Sequence, residues 1–415
     1  MPERDLDLVL YGATGFTGRL VADYLSTSGP PDLRWAIAGR SRAKLTAIQA
    51  ELSAAAPDRE VELIVADSGD SESLAAMVSR ARVVCSTVGP YLTYGLPLVE
   101  QCVEQGVGYC DLTGEVPFMR QSIDRFHERA AETGARIVHA CGYDSIPGDL
   151  GAWMVQQAMT ERGQPATRVV TYVGPSKGGA SGGTIASGIE SLKLAGADPA
   201  VRRMAADPYS LDPEGSPKGP RDWDPRGPAH AAEIDQWTAP FLMGFINTRV
   251  VRRSHALLGH PWSTDFSYQE VMAVGAGLKG RARATAVSVA MGAAFGALTR
   301  PSLRGLIEKR LPQPGEGPDE DTRESGYFRH LIVAEGPGGR LLGRVIGKKD
   351  PGYGGTAIML GEAALCLAFD GDQTPDRAGV LTPATALAGP LLERLRAAGM
   401  TWSVEDWPDD GVPRP

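Results

Sequence analysis

An apolar run from Leu6 to Leu10 leads directly into Tyr11-Gly12-Ala13-Thr14-Gly15-Phe16-Thr17-Gly18. Few features restrict a fold as strongly as three glycines spaced this way between a buried strand and a helix. Gly12 permits a tight turn, Gly15 removes the side chain that would block an approaching phosphate, and Gly18 lets the helix pack closely on the strand. The helix expected over Arg19 to Leu25 then presents the unpaired N–H groups of its first turn to an anion. The spacing is G-x-x-G-x-x-G rather than G-x-G-x-x-G, so the strand before it and the helix after it carry the assignment. Together they imply a dinucleotide pyrophosphate site lined by Gly12, Thr14, Gly15, Phe16, Thr17 and Gly18.

Residues 6–150 continue the same rhythm. Strand-like runs occur at Leu6 to Tyr11, Trp35 to Ala38, Val61 to Val65, Val83 to Val88, Tyr109 to Leu112 and Arg136 to Ala140. Helical patterns such as Arg42 to Ala54 and Pro97 to Gln105 fall between them. Strands alternating with helices predict an α/β chain with an N-terminal Rossmann-type, doubly wound parallel sheet. After about residue 160 the pattern changes. A strand over Arg168 to Val173 precedes the glycine-rich run Gly178 to Thr184, and a helix is expected over Ile185 to Ala195. Residues 207–230 and 312–322 read as breaker-rich loops. Phe266 to Val274 reads as a strand, Phe328 to Glu335 and Leu341 to Lys348 as a hairpin, and Tyr353 to Phe369 as a helix. This middle region is expected to be an inserted α+β domain.

The end of the second strand selects between the two nicotinamide dinucleotides, because an acid there would bind the ribose 2′-hydroxyl. Here the sequence is Ala38-Gly39-Arg40-Ser41-Arg42-Ala43-Lys44, with no acid. Arg40 can stack on adenine and grip a 2′-phosphate with its planar fork, and Ser41 can add a hydrogen bond. The cofactor expected is NADPH; the competing reading is that these residues only start a helix. Asp67, after the third strand, suits either the adenine amino group or a helix N-cap. Thr87-Val88-Gly89-Pro90 ends the fourth strand, where the cofactor's ribose and nicotinamide should lie.

The net charge of −8 and the absence of a basic stripe with interleaved aromatics argue against a nucleic-acid partner. The five cysteines are scattered and the six histidines lack metal-ligand spacing, so no metal site is expected. Scattered thiols and a start without a signal-peptide apolar stretch (Met1 to Asp5) lead to the expectation of a cytoplasmic protein. Ala284 to Leu298 is nearly free of polar residues and lies between Arg281/Arg283 and Arg300/Arg304. It is short for a membrane span. It reads either as a buried helix or oligomer interface, as in a homodimer, or as a membrane-surface helix peripheral to lipid.

The sequence resembles the saccharopine dehydrogenase-like family, in particular its trans-acting enoyl reductase branch from polyketide lipid synthesis. The residues that carry the resemblance are Tyr11 to Gly18, Ala38 to Ser41, Thr87 to Tyr91, Tyr94 to Val99, Asp111 to Glu115, Cys141 to Pro147, Asn247 to Ser254 and Val380 to Ala384. The resemblance implies NADPH-dependent reduction of a carbon–carbon double bond in a polyketide or lipid acyl chain held on a carrier of a partner synthase. It also implies residues 1–154 as the NAD(P)-binding domain, 155–354 as the inserted substrate domain, and a return of 355–415 to the first. Enoyl reduction needs a proton donor beside the nicotinamide. Tyr91 and Tyr143 are the expected catalytic residues, with Tyr94, Asp111, Thr113, Glu115, Asp144 and Ser145 nearby in sequence. Each tyrosine also fits a packing role with a satisfied hydroxyl. Two other functions stay open: reduction of another apolar substrate, an isoprenoid or carbonyl compound, and cofactor binding at a lipid surface without turnover.

Overall fold

The computed structural model describes residues 4–178, 193–194, 196, 198–220, 222–298, 300, 317–408 and 412–414. Most of the expected helix over Ile185 to Ala195 and most of the Gly178 to Thr184 run lie outside these residues. So does the first part of the 312–322 loop.

Two seven-stranded sheets organise the chain. The first is built from β1 (Leu6–Tyr11), β2 (Trp35–Gly39), β3 (Glu62–Val65), β4 (Ala81–Ser86), β5 (Gly108–Asp111), β6 (Arg136–Val138) and β13 (Gly379–Leu381). Its order is β13-β6-β5-β4-β1-β2-β3, and every pairing is parallel. Helices α1 (Phe16–Ser28), α2 (Arg42–Ala55), α3 (Ser71–Arg80), α4 (Tyr91–Glu104) and α5 (Val116–Thr133) provide the crossovers. Helices on both faces explain why β1 and β2 read as unbroken apolar runs: all of their residues are buried. The strand order reverses between β1 and β4. That switch point opens a crevice beyond their carboxyl ends.

The second sheet contains β7 (Arg168–Val173), β8 (Ala229–Ala231), β9 (Gln236–Pro240), β10 (Ser267–Ala273), β11 (Phe328–Gly336), β12 (Gly339–Gly347) and β14 (Thr401–Asp406). Its order is β14-β12-β11-β7-β10-β9-β8, and only β7 and β10 run parallel. β11 and β12 form the hairpin expected around Gly336-Pro337-Gly338-Gly339. Helix α6 (Ile146–Glu161) leaves the first sheet and lies on this second one. Its Gly151 faces Ile332 so closely that a Cβ would come within 2.4 Å of Cδ1, and Gly343 on β12 comes similarly near Val155.

Two further helices contrast in burial. Thr356–Phe369 packs on α1: a Cβ on Gly361 would meet Tyr24 at 2.6 Å, and the Tyr24 hydroxyl donates to Glu362. The Pro351–Phe369 segment is long and apolar enough to cross a membrane, but 67% of its apolar window is buried, the pattern of a core helix. Gly277–Leu298 is the opposite case. Only Gly280 and Ala284 are buried, and Leu278 and Val289 are 84% and 65% exposed. The buried-helix reading of 284–298 therefore does not hold within this chain.

Candidate functional site: a glycine-rich turn and a buried polar cluster

Register brings the glycine turn, the end of β2 and the end of β4 to one edge. Tyr11 pairs with Ala38 on one side and Ser86 on the other. Gly12 N–H then donates to Ala38 O and Thr87 N–H to Tyr11 O, both at 2.9 Å. Gly12 has φ +100°, and a Cβ there would fall 2.6 Å from Thr87 Oγ1 and 2.8 Å from Val88 Cγ2. A Cβ on Gly18 would lie 2.2 Å from Gly12 O, so α1 can approach the turn only with glycine there. Gly15 is different. The nearest atom to its Cβ position is Gly12 O at 3.4 Å, so the space above it is kept open for something other than protein. No side chain caps α1 and no acid occupies its first turn. Its N–H groups and dipole thus point into an open cradle suited to a pyrophosphate. Thr14 is exposed beside Gly39, and Phe16 and Thr17 are half-buried.

Arg40 is exposed at the end of β2. Ser41 accepts from Lys44 N–H at 3.4 Å and so caps α2. Asp70, rather than Asp67, caps α3 by accepting from Glu72 and Ser73 N–H. Asp67 instead closes a turn on Gly69 N–H at 2.9 Å. Burial pushes the Tyr11 phenol up, and the Asp67 charge adds to that while Arg40 opposes it. Arg40, Asp67 and Tyr11 therefore share one neighbourhood.

At the other end, Thr87 and Val88 are half-buried, and Gly89–Pro90 is a cis peptide leading into α4. Glu115 crosses from the β5 loop to accept from both Tyr91 and Leu92 N–H at 2.9 Å, capping a helix distant in sequence. Its carboxylate replaces a local cap and holds the helix start against the crevice. The Tyr91 hydroxyl is buried and donates to Ser86 O at 3.0 Å. Behind it Asp111 accepts from Tyr109 and from Thr113 and Ala140 N–H, and lies 2.7 Å from His139 Nδ1. His139 Nε2 reaches the buried Ser122. This network fixes the ends of β5 and β6. Cys141 is fully buried, and burial drives its thiol pKa far up, which fits a small packing residue rather than a nucleophile.

The second sheet supplies partners that local sequence does not announce. Tyr143 Oη lies 3.0 Å from His330 Nε2 on β11, and its ring packs edge-on against Phe328. Burial pushes His330 down to about 3, so the imidazole is neutral, and it pushes the Tyr143 phenol up. His330 Nδ1 is buried without a hydrogen-bond partner. Beside them Ser145 Oγ donates to Asn247 Oδ1, and Asn247 Nδ2 donates to Glu270 Oε2 on β10, both at 2.8 Å. Tyr268 also donates to that oxygen, while Glu270 Oε1 is buried and unpartnered. Gly148 makes room for this group: a Cβ would lie 2.9 Å from Tyr268 Oη. Desolvation raises Glu270 to about 7 and Asp144 to about 6, each far above a water-exposed carboxyl. The sequence places Tyr143, Asp144 and Ser145 near the crevice but does not reveal Glu270, Tyr268 and His330. His330 is a polar residue in a largely apolar strand, whereas Tyr268 and Glu270 lie in a strand of ordinary mixed pattern.

Comparison with known proteins agrees with this geometry. Residues 8–138 match the family model for the saccharopine dehydrogenase NADP binding domain. The chain is 46% identical over 413 residues to a Mycobacterium tuberculosis protein named as a trans-acting enoyl reductase, covering 96% of this chain and 97% of that one. It is 39% identical to the trans-acting enoyl reductase of Mycobacterium ulcerans, with 97% and 98% covered. Among solved structures, Saccharomyces cerevisiae saccharopine dehydrogenase (L-Glu forming) superposes with a TM-score of 0.53 at 13% identity. That match covers 96% of this chain and 99% of that one, and it establishes a shared fold. With NADP chemistry written into the crevice and relatives that match along almost the whole sequence, the chain belongs to the saccharopine dehydrogenase-like family, in its trans-acting enoyl reductase branch.

Proposed function

We propose that this chain uses NADPH to reduce a carbon–carbon double bond in an acyl chain presented as a thioester by a carrier of a partner synthase. The observation that carries the reading is the crevice itself. An open glycine cradle with Arg40 exposed beside it marks one end, and the β6–α6 loop of the same sheet carries Tyr143 and Ser145 into a buried polar cluster completed by the second sheet. Relatives named trans-acting enoyl reductases along almost the whole chain support the reaction class. When bound, the cofactor supplies hydride to the β-carbon of the enoyl group. The chain's own residues must exclude water, hold the thioester and deliver one proton to the α-carbon.

Of the two expected donors, Tyr143 is the better placed. Its hydroxyl meets the neutral His330 ring, whereas the Tyr91 hydroxyl is committed to the Ser86 carbonyl. Tyr143 is therefore assigned as donor and Tyr91 as a positioning residue that locks the β4–α4 turn. The proposed division is 1–154 with 355–415, and 155–354, for all but the last strand of the return. The pairing of β13 with β6 supports the return, and β14 then crosses back to the second sheet. A cytoplasmic enzyme touching membrane lipid through 284–298 also fits, supported by the exposure of that apolar helix.

The test is NADPH oxidation with an α,β-unsaturated thioester, following product saturation by mass. One NADPH consumed per double bond lost supports the proposal. Tight NADPH binding with no oxidation on enoyl thioesters sinks it. Replacing Tyr143 with Phe should lower kcat by roughly a hundredfold or more at unchanged NADPH affinity, the range for loss of a general acid. A Tyr91→Phe enzyme should lose much less.

A further inference from the structure

Phe16 is the first residue of α1, at the rim of the pyrophosphate cradle, and segments anchored to the second sheet converge on its ring. Tyr353 meets it edge-on with centroids 5.0 Å apart. Gly317 lies against it so closely that a Cβ would fall 2.4 Å from Phe16 Cε1. The Arg323 guanidinium sits over its face at 5.6 Å. We propose that Arg323, carried on the strap 317–326, reaches from the second sheet to the pyrophosphate of NADPH and so ties cofactor binding to the juxtaposition of the two sheets.

The strap is firmly tethered on its own side. Asp350 N–H donates to Arg323 O at 3.0 Å, Lys177 Nζ donates to Ser325 Oγ at 2.7 Å, and Lys349 pairs with Glu324. Gly326 is pressed on the Asp350 backbone, where no Cβ would fit. The guanidinium itself is poorly satisfied. Its Nη1 donates to Pro318 O at 2.7 Å, and among the described residues no carboxylate lies within ion-pairing distance. Asp319 and Asp350, the acids that feel its charge, are occupied with backbone: Asp319 accepts from Thr322 N–H, and Asp350 from Tyr353 and Gly354 N–H.

The distribution of charge then favours the assignment. NADPH brings one anionic group at its 2′-phosphate and another at its pyrophosphate. Arg40 is the expected partner of the first, whereas the cradle lined by Gly12, Thr14, Gly15, Phe16, Thr17 and Gly18 offers the second backbone N–H groups, a helix dipole and no cation. A planar guanidinium held on the rim by an aromatic face completes that site, because its fork matches phosphate oxygens in pairs.

The experiment is equilibrium titration of NADPH and of NADH, read by nicotinamide fluorescence, on wild type, Arg323→Met and Arg40→Ala. Methionine keeps a flexible stem on Phe16 while removing the charge. The R323M protein should bind both dinucleotides about tenfold more weakly, the loss expected for one charge-assisted hydrogen bond. R40A should weaken NADPH alone. Arg323→Lys should recover part of the affinity, which a purely packing role would not require. Unchanged affinities in R323M, or a loss confined to NADPH, would overturn the proposal. The inference rests on NADPH occupying the glycine cradle. Failure of that premise is seen separately, as absence of NADPH binding to wild type.

Discussion

Glu270 shows how a single side chain can report its surroundings. It sits on β10, fully enclosed, with one oxygen held by Asn247 and Tyr268 and the other unpartnered. Desolvation, opposed by the two hydrogen bonds and aided by the Asp144 charge, raises its pKa from an ordinary 4.5 to about 7. A raised carboxyl pKa means that the folded protein holds a proton the unfolded chain releases. Stability is therefore fully present below about pH 4.5 and is lost as pH rises toward 7. Asp149 and Asp212, also raised to about 7 by burial, tilt the curve the same way. Replacing Glu270 with Gln keeps an oxygen for Asn247 and removes the titration. Urea unfolding at about pH 5 and about pH 8 should show the wild-type loss shrinking by on the order of 2 kcal/mol in E270Q. Equal slopes in the two proteins would mean Glu270 is not buried as described. Such a residue is hard to foresee from sequence, because Tyr268-Gln269-Glu270 looks like any alternating strand and its partner Asn247, itself held by Ser145 of the β6–α6 loop, comes from a distant helix. Arg40 is the contrast: its place at the end of β2 follows from its offset from the glycine turn, so the role proposed for it needs no tertiary contact to be suggested.

Elements divide along the same line. The strands of the parallel sheet announce themselves as short apolar runs because both faces are covered. In the second sheet the hairpin β11–β12 is legible from its turn, but β8, β9 and β14 are not. β14 buries only Trp402 among its six residues, so it carries little apolar signal and is held by pairing with β12. The sequence pattern starts helix α4 at Pro97, yet the helix begins at Tyr91, because Glu115 supplies its cap from another loop. That long-range cap leaves no trace at the helix start. The glycine turn is legible in detail, and its three glycines separate into roles. A Gly18→Ala change forces a Cβ onto Gly12 O and Thr87 Oγ1, so it should cost about 2 kcal/mol of stability as overpacking does. A Gly15→Ala change meets nothing closer than 3.4 Å and should leave the melting temperature nearly unchanged. It should nevertheless weaken NADPH binding, since the methyl enters the space reserved for pyrophosphate. Thermal melts paired with NADPH titrations on both variants check this. Loss of stability in G15A, or intact NADPH affinity, would contradict the division of roles.

At the scale of the molecule, the helix Gly277–Leu298 is the feature that the two sheets do not account for. From Ala284 on it is nearly all apolar yet largely exposed, and a helix stretch of that kind is normally covered by something. From Val274 to Ile307 the sequence has Lys279, Arg281, Arg283, Arg300 and Arg304 and no acid, in a chain of net charge −8. Arg281 stacks on Trp237, which anchors the start of the helix to β9. Two copies packed antiparallel through this helix would bring the cations at one end of each against those at the other end of its partner. An anionic lipid surface has the opposite charge and welcomes an all-apolar body flanked by arginines. Placing the enzyme there would also set an apolar acyl substrate beside the second sheet. Wild-type protein should co-sediment with phosphatidylglycerol vesicles, bind phosphatidylcholine vesicles far less, and release from the former at high salt. Val289→Glu, at a position 65% exposed, should abolish vesicle binding while leaving NADPH affinity and melting temperature unchanged. A protein that ignores anionic vesicles, and whose dimer in light scattering is split by the same V289E change, would instead make this helix a self-association surface.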